Sequence, residues 1–410
     1  MQYDVIVIGG GASGMMAAGT AGSMGKKVLL LEKNEKLGKK VYITGKGRCN
    51  ITNTASLDDF LKNVSRNHKF LYSALSTFSN YDTVSLLNSL GLKTKVERGN
   101  RVYPVSDKSS DVIKHFEKYM RQNNVEIRLN SKVASTIIEN NNIAGIKLND
   151  GTVINAQSVI IATGGLSYPS TGSDGDGYRF AQSSGHKIIE QTPSLVPLEV
   201  KEEYIKDLQG LSLKNVTVTL KADDKILYKD FGEMLFTHFG LSGPLILSVS
   251  YYAVEALKKG RKANIEIDLK PYMTDEELDK RLLNDFDLYT NKQFKNSLND
   301  LLPQKIISTI INLSGISESK AVNQLSKEER QNLIHVLKNL TFEIAKPRPI
   351  AEAIVTAGGV SVKEINPKTM ESKLIKGLHF AGEVIDVHGF TGGYNLQIAF
   401  STGYTAGYNA

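Results

Sequence analysis

The sequence predicts an α/β fold in which one domain is assembled from both ends of the chain, with a β domain and a small helical domain inserted between them. Three observations carry this. The first thirty-three residues, Met1 to Lys33, read as strand, glycine turn, helix and second strand. After Pro193 the pattern shifts to short alternating strands, and from Thr274 to Leu340 to lysine- and asparagine-rich stretches with helical spacing. After Pro347 and Pro349 buried-strand patterns and glycine turns return. The expected segments are 1–192, 193–272, 273–345 and 346–410.

Asp4-Val5-Ile6-Val7-Ile8 is an apolar β-branched run of the kind found in buried parallel strands. Gly9, Gly11 and Gly14 then fill a G-x-G-x-x-G pattern, and small residues continue through Gly19 as a helix packed close to the strand. Lys27-Val28-Leu29-Leu30-Leu31-Glu32 is a second buried strand ending in an acid. This order is that of a dinucleotide site. Gly9 permits the tight turn, Gly11 lets backbone approach a pyrophosphate, and Gly14 lets helix and strand pack. The helix start offers free N–H groups to phosphate. Glu32 stands where an acid accepts from ribose hydroxyls and disfavours a 2′-phosphate, which points to FAD or NAD rather than NADP.

A chain of 410 residues suits two or three domains, and 41% hydrophobic with 23% charged residues is the balance of a globular protein. One cysteine permits no intrachain disulfide, and a reducing, cytoplasmic setting follows. No apolar run reaches transmembrane length, and the N-terminal stretch reads as a strand rather than a signal peptide. The net charge of +7 fits a polyanionic partner or simply heavy lysine use.

Thr44-Gly45-Lys46-Gly47-Arg48-Cys49-Asn50 is a glycine-spaced cationic loop suited to lie against a polar ligand, or a surface loop that needs its glycines for turns. Leu57 to Leu90 predicts two helices, and Ser109 to Asn123 another. Arg98 to Pro104 reads as strand or turn, and Val125 to Leu129 as a strand. Lys132 to Glu139, Ile143 to Leu148 and Thr152 to Asn155 predict a meander, turning at Asn149-Asp150-Gly151. Ser158 to Gly165 is an apolar strand ending in Thr-Gly-Gly, and the segment from Tyr168 opens a helix at Tyr178. Val196–Val200, Val216–Leu220, Lys225–Asp230 and Ala263–Leu269 are short strands, with Gly232 to Pro244 leading into an apolar helix. Thr274 caps a helix with Glu277 three residues on.

Gly377 to Asp386 is a strand entering a glycine-acid turn, and Gly389 to Gly393 lead into a last helix with a small-residue face of Ala399, Gly403, Ala406 and Gly407. Strand, acid, glycine pair and helix make a second ligand contact. In flavoprotein folds of the glutathione-reductase type such a segment faces the flavin, so FAD is favoured over NAD. The fold class is then a two-segment, FAD-binding Rossmann domain with an inserted β-barrel-like domain.

Six motifs, Gly9–Gly14, Thr44–Asn53, Ala162–Tyr178, Leu235–Pro244, Thr356–Lys373 and Gly377–Gln397, run from end to end. In these the chain resembles the BaiN/RdsA family of FAD-dependent oxidoreductases, also known as the aminoacetone oxidase family. His388 and Phe390 vary in the turn around Gly389. The resemblance implies cofactor contacts from Gly9, Gly11, Ala12, Ser13, Gly14, Glu32 and Lys33; from Lys40, Thr44, Gly45, Gly47, Arg48, Cys49 and Asn50; from Val133, Thr163, Gly164 and Gly165; and from Gly382, Glu383, Asp386, Gly392, Gly393, Tyr394, Asn395 and Leu396. It implies no metal. It implies reduction of a C=C bond conjugated to a carbonyl, with NAD(P)H as a transient electron donor. The leading substrate is uridine in large-subunit ribosomal RNA, and a steroid-like or bile-acid enone comes next. An amine oxidase and a non-catalytic FAD-binding partner protein are the other readings. Neither DNA nor a membrane is implied.

Such chemistry needs a donor for the enolate oxygen and an acid for the α carbon. His238 suits either task, or is a hydrogen-bonded histidine holding the β domain. Cys49 could be the acid, though a small buried hydrophobe is preferred. Arg48 could neutralise a pyrophosphate or substrate anion, or cap its loop. Arg98, Arg101 and Tyr103 could line the substrate side or form a hairpin salt bridge. Lys258-Lys259-Arg261-Lys262 and the lysines of the helical segment could face phosphate, or simply solvent.

Overall fold

A computed structural model describes residues 2–410. The chain divides into two compact units: residues up to Pro193 together with Ile350–Ala410, and Ser194–Pro349.

The first unit is built on a seven-stranded sheet. β1 (Gln2–Ile8) pairs in parallel with β2 (Val28–Leu31) on one side and with Val153–Ile161 on the other. Glu126–Arg128 adds beyond β2, and Leu378–Phe380 adds in parallel beside Val159–Ile161. Val5 to Ile8 and all of β2 are buried, as the apolar runs of a covered parallel sheet are. The register places Ile8 opposite Leu31 and Ile161, and Ile161 opposite Phe380. The carboxyl ends of these strands therefore share one edge, where open α/β sheets bind ligands.

α1 (Ala12–Ser23) has no charged residue and buries nine of its twelve. The last helix, Tyr394–Asn409, lies against it at backbone distance. A Cβ on Gly403 would stand 2.4 Å from the Ser13 carbonyl oxygen, and one on Gly407 2.2 Å from that of Ala17. The small-residue face of this helix is thus a seat for α1, and it joins the two ends of the chain.

Two details differ from expectation. The third meander strand and the return strand are one, Val153–Ile161, antiparallel to Asn142–Leu148 at its start and parallel to Leu378–Phe380 at its end. Between Leu57 and Leu90 there are three helices, Leu57–Lys62, His68–Thr77 and Asn80–Ser89. Left-handed Asn67 precedes the second, and a capping box of Ser79 and Asp82 starts the third.

In the second unit six antiparallel strands close a barrel: Leu198–Val200, Gly240–Ser242, Lys225–Phe236, Ser212–Ala222, Ala263–Asp268 and Leu340–Pro347. The closing strand follows the helices Asp275–Leu288, Gln304–Ser314 and Lys327–Lys338. These helices share one apolar core with the barrel, Leu278, Ile310 and Leu333 with Ile265 and Phe342, rather than forming a separate body. Thr274 caps the first of them in a full capping box with Glu277. Among the described residues no helix is long and apolar enough to cross a membrane.

Candidate functional site

At the shared strand edge of the first unit lies a cavity of about 1270 Å³, counting the space open to solvent. It is lined by the turn Gly9 to Ser13, the end of β2 with Glu32 and Lys33, the segment Gly38 to Val41 with Thr44, then Ser131 and Val133, Ala162 to Gly164, Thr171 to Ser173, Ile354 and Val355, Glu383, and Asn395 with Leu396.

Sterics explain the glycine turn. Gly9 has φ +105°, and a Cβ there would meet the Ala162 carbonyl oxygen at 2.6 Å. A Cβ on Gly14 would stand 1.8 Å from the Gly9 oxygen. Around Gly11 nothing lies within 4 Å, so this position opens onto the cavity. Gly11 also caps α1 without a side-chain hydrogen bond, and the first turn carries no acid. Free N–H groups and an uncompensated helix dipole favour an anion there. The last helix likewise starts at Gly393 with no side-chain cap and no acid in its first turn.

Glu32 is buried, and its carboxylate is held by the chain. Gly10 N–H donates to Oε2 (2.7 Å), while the backbone N–H of Asn34 (2.9 Å) and its Nδ2 (2.7 Å) donate to Oε1. Lys33 pairs with Asp174 (2.5 Å) and Asp176 (2.9 Å). Across the cavity, Lys40 Nζ donates to Glu383 Oε2 (2.7 Å). Glu383 Oε1 accepts from Ser167 Oγ (3.0 Å) and from Thr356 N–H (2.8 Å). Thr163 lines the cavity, while its buried Oγ1 lies against Gly177 and is unpaired among the described residues. Asn395 lines the cavity, but its side chain is tied to the preceding turn: Gly389 N–H donates to Oδ1, and Nδ2 donates to the Gly389 and Phe390 carbonyls.

Several expected contacts lie off the cavity lining. Arg48 pairs with Glu97 (2.6 Å) and Asp107 (2.6 Å) and stacks over the Tyr103 ring at 4.3 Å, so its charge serves the local sheet. Cys49 is fully buried, and burial pushes its thiol up to about 12, which unsuits it as an acid near neutrality. Gly45, Gly47 and Asn50 sit on the same loop outside the lining. Asp386 is buried in an ion pair with Arg66 (2.8 Å) and accepts from Asn67 Nδ2 (3.0 Å). Gly165, Gly382, Gly392, Gly393 and Tyr394 lie outside the lining. Gly165 packs on Thr356, Gly382 on Ser13 and Gly393 on Thr52, and the Tyr394 ring packs edge-on against Phe60 at 4.9 Å. His238 belongs to the second unit, exposed between Lys225–Phe236 and Gly240–Ser242, with Phe239 against its ring at 4.9 Å.

Sequence reasoning missed Lys39, Val41, Ser131, Asp176, Phe180, Ile354 and Val355 as lining residues. The signals were faint. Gly172 and Gly175 mark a tight segment before Asp176, and Ile354 and Val355 are apolar residues with no ligand-binding chemistry of their own.

A Rossmann sheet, a glycine turn at a free helix start, a buried acid on the second strand and a second uncapped helix around one cavity define a flavoprotein-type nucleotide-binding oxidoreductase. The family model described as HI0933-like protein Rossmann domain matches residues 3–409. The chain belongs to this family, and it is an enzyme, an FAD-dependent oxidoreductase. It is 34% identical over 98% of its length, and 97% of the relative's, to the 3-dehydro-bile acid delta(4,6)-reductase of Clostridium scindens. It is 31% identical over 98% of its length, and 96% of the relative's, to the ribosomal RNA dihydrouridine synthase of Escherichia coli. In fold it is similar to the 3-ketosteroid-delta4-(5alpha)-dehydrogenase of Rhodococcus jostii, with a TM-score of 0.53 and 14% identity, covering 100% of this chain and 96% of the other.

Proposed function

We propose that this chain is an FAD-dependent reductase of C=C bonds conjugated to a carbonyl, with uridine in ribosomal RNA as its leading substrate and NAD(P)H as transient reductant. The observation that carries the reading is the single cavity reaching from Gly11 to Asn395, within a family whose named members include a dihydrouridine synthase. Making dihydrouridine saturates the pyrimidine C=C beside a carbonyl. A bile-acid reductase that works on a dienone saturates the same kind of bond, so the two relatives suggest one chemistry on different substrates.

The residues present fit FAD. Gly11 and the start of α1 would take the pyrophosphate, Glu32 the adenosine ribose, and Glu383 with Lys40 the ribityl end. Bound FAD would supply two-electron transfer to the conjugated bond. The chain's own part is to hold that group in a largely apolar slot, to keep the charges of Lys40 and Glu383 matched, and to exclude water. With Arg48 and Cys49 committed elsewhere, His238 stays a proposed proton donor. No second G-x-G-x-x-G is present for a resident nicotinamide, so the reductant would bind transiently. The net charge of +7 favours RNA over a steroid, and a single cysteine suits a cytoplasmic setting.

Two measurements test this. Anaerobic addition of NADH or NADPH to the purified protein is expected to bleach the flavin spectrum, whereas aminoacetone is not; bleaching by aminoacetone alone returns the oxidase reading. Mass spectrometry of ribosomal RNA from a strain lacking the gene is expected to lose a dihydrouridine. Unchanged RNA together with turnover of a steroid enone would move the substrate to the bile-acid class.

A further inference from the structure

The segment Tyr168 to Asp176 crosses to the end of the cavity that holds Glu32, and the bonds that tie it there have no part in the fold's sheets. Thr171, Gly172, Ser173 and Asp176 line the cavity from one side, Glu32 and Lys33 from the other. Asn34 joins the two. Its Nδ2 donates both to Glu32 Oε1 (2.7 Å) and to the Thr171 carbonyl (3.1 Å). The approach is close enough to need glycine: Gly172 has φ +105°, and a Cβ there would stand 2.5 Å from Asn34 Nδ2. Lys33 adds the charge, bonding Asp174 and Asp176 while its side chain is only 20% exposed. Lys132 stands 3.8 Å from Asp176, and Arg179 bonds the same carboxylate at 2.8 Å. Three cations thus converge on two carboxylates, and one of those carboxylates lines the cavity.

We infer that residues 168–176 form a latch over the adenosine end of the dinucleotide site, closed by Lys33 on Asp174 and Asp176 and by Asn34 on Thr171. This rests on the FAD reading above. Asn34 is a positioning residue in it, since one amide group orients the ribose-facing acid and pins the segment that walls it in. A dinucleotide seated against Glu32 leaves when these bonds open. Its rate of loss therefore depends on the latch, and rises with salt because the Lys33 pairs are partly solvated. A flavin lacking adenosine does not reach the latch and is indifferent to it.

The test is flavin release from the purified holoprotein, followed by the fluorescence of freed flavin after dilution. Release from wild-type protein is expected to accelerate between about 50 mM and about 500 mM NaCl. Lys33→Ala and Asn34→Ala are expected to release FAD about fivefold faster, the Lys33→Ala rate being nearly independent of salt. Lys62→Ala, which breaks an exposed pair with Asp59, serves as the charge control and is expected to match wild type. After deflavination, FMN affinity is expected to be equal in wild type and in both variants. Equal FAD release in all forms, salt-independent release from wild type, or an FMN affinity that falls alongside that of FAD would overturn the latch. Should a variant not fold, the wild-type salt dependence still decides. Wild-type protein that binds no FAD would sink the cofactor reading itself, whereas normal FAD binding with unaltered release sinks the latch alone.

Discussion

Lys40 and Glu383 are 343 residues apart in the sequence, and the Lys40 Nζ stands 2.7 Å from Glu383 Oε2 on the wall of the cavity. The pair joins the two segments of the first unit at the place where the proposed flavin would meet them. Its side chains are 24% and 19% exposed, so it lies between a solvated surface pair and a buried one.

Breaking that pair from either side is expected to destabilise by about 1–2 kcal/mol, and the double variant Lys40→Ala/Glu383→Gln by less than the sum. Urea unfolding of the two single variants and the double variant measures the coupling, expected at about 1 kcal/mol. Strict additivity would mean that the contact carries nothing.

Cys49 is expected to be chemically silent. With its thiol pushed up to about 12 by burial, its thiolate fraction at pH 8 is roughly a thousandfold below that of an ordinary cysteine. A thiol reagent at pH 8 should label it only in denaturant, and Cys49→Ala should keep reductase turnover within about twofold. Rapid labelling of the native protein, or loss of turnover in this variant, would restore the acid role.

Two buried histidines should make the protein labile to mild acid. Burial pushes His379 down to about 4 and His388 down to about 3, against an ordinary value of 6.5. Both are neutral in the folded state, while in the unfolded chain they take up protons below 6.5. The stability they contribute is therefore complete above that pH and is lost as pH falls toward the folded values, at about 1.4 kcal/mol per pH unit for each. His379→Leu should show a shallower decline between pH 6.5 and 5 by urea unfolding. An unchanged slope would mean that His379 is already protonated in the native state.

The seat of the last helix on α1 allows no side chain at Gly403. Gly403→Ala is expected to cost about 2 kcal/mol or more, because its methyl would meet the Ser13 carbonyl, a backbone atom that cannot rotate away. Thermal unfolding checks the cost. Faster flavin loss should accompany it, since Ser13 lies on the cavity wall.

What the sequence by itself determined was local. The apolar runs of β1 and β2, the glycine spacing at Gly9, Gly11 and Gly14, the Thr274 capping box and the small-residue face of the last helix all rest on interactions between near neighbours in the chain. Each was legible without the fold. Glu32, Thr163, Glu383 and Asn395 stand at strand ends, turns and a helix start that local pattern reveals, Lys40 came from the family resemblance, and all five line the cavity. Only the tertiary structure decided what the remaining polar residues do. Arg48 and Asp386 look like ligand contacts in sequence, yet partners 49 or more residues away claim them: Glu97 and Asp107 for Arg48, Arg66 for Asp386. Ser131, Asp176 and Ile354 reach the cavity only because strand order brings their segments to one sheet edge. An ion pair is a long-range contact, and a side chain turns to ligand or to protein according to which opposite charge the topology brings within about 3 Å of it.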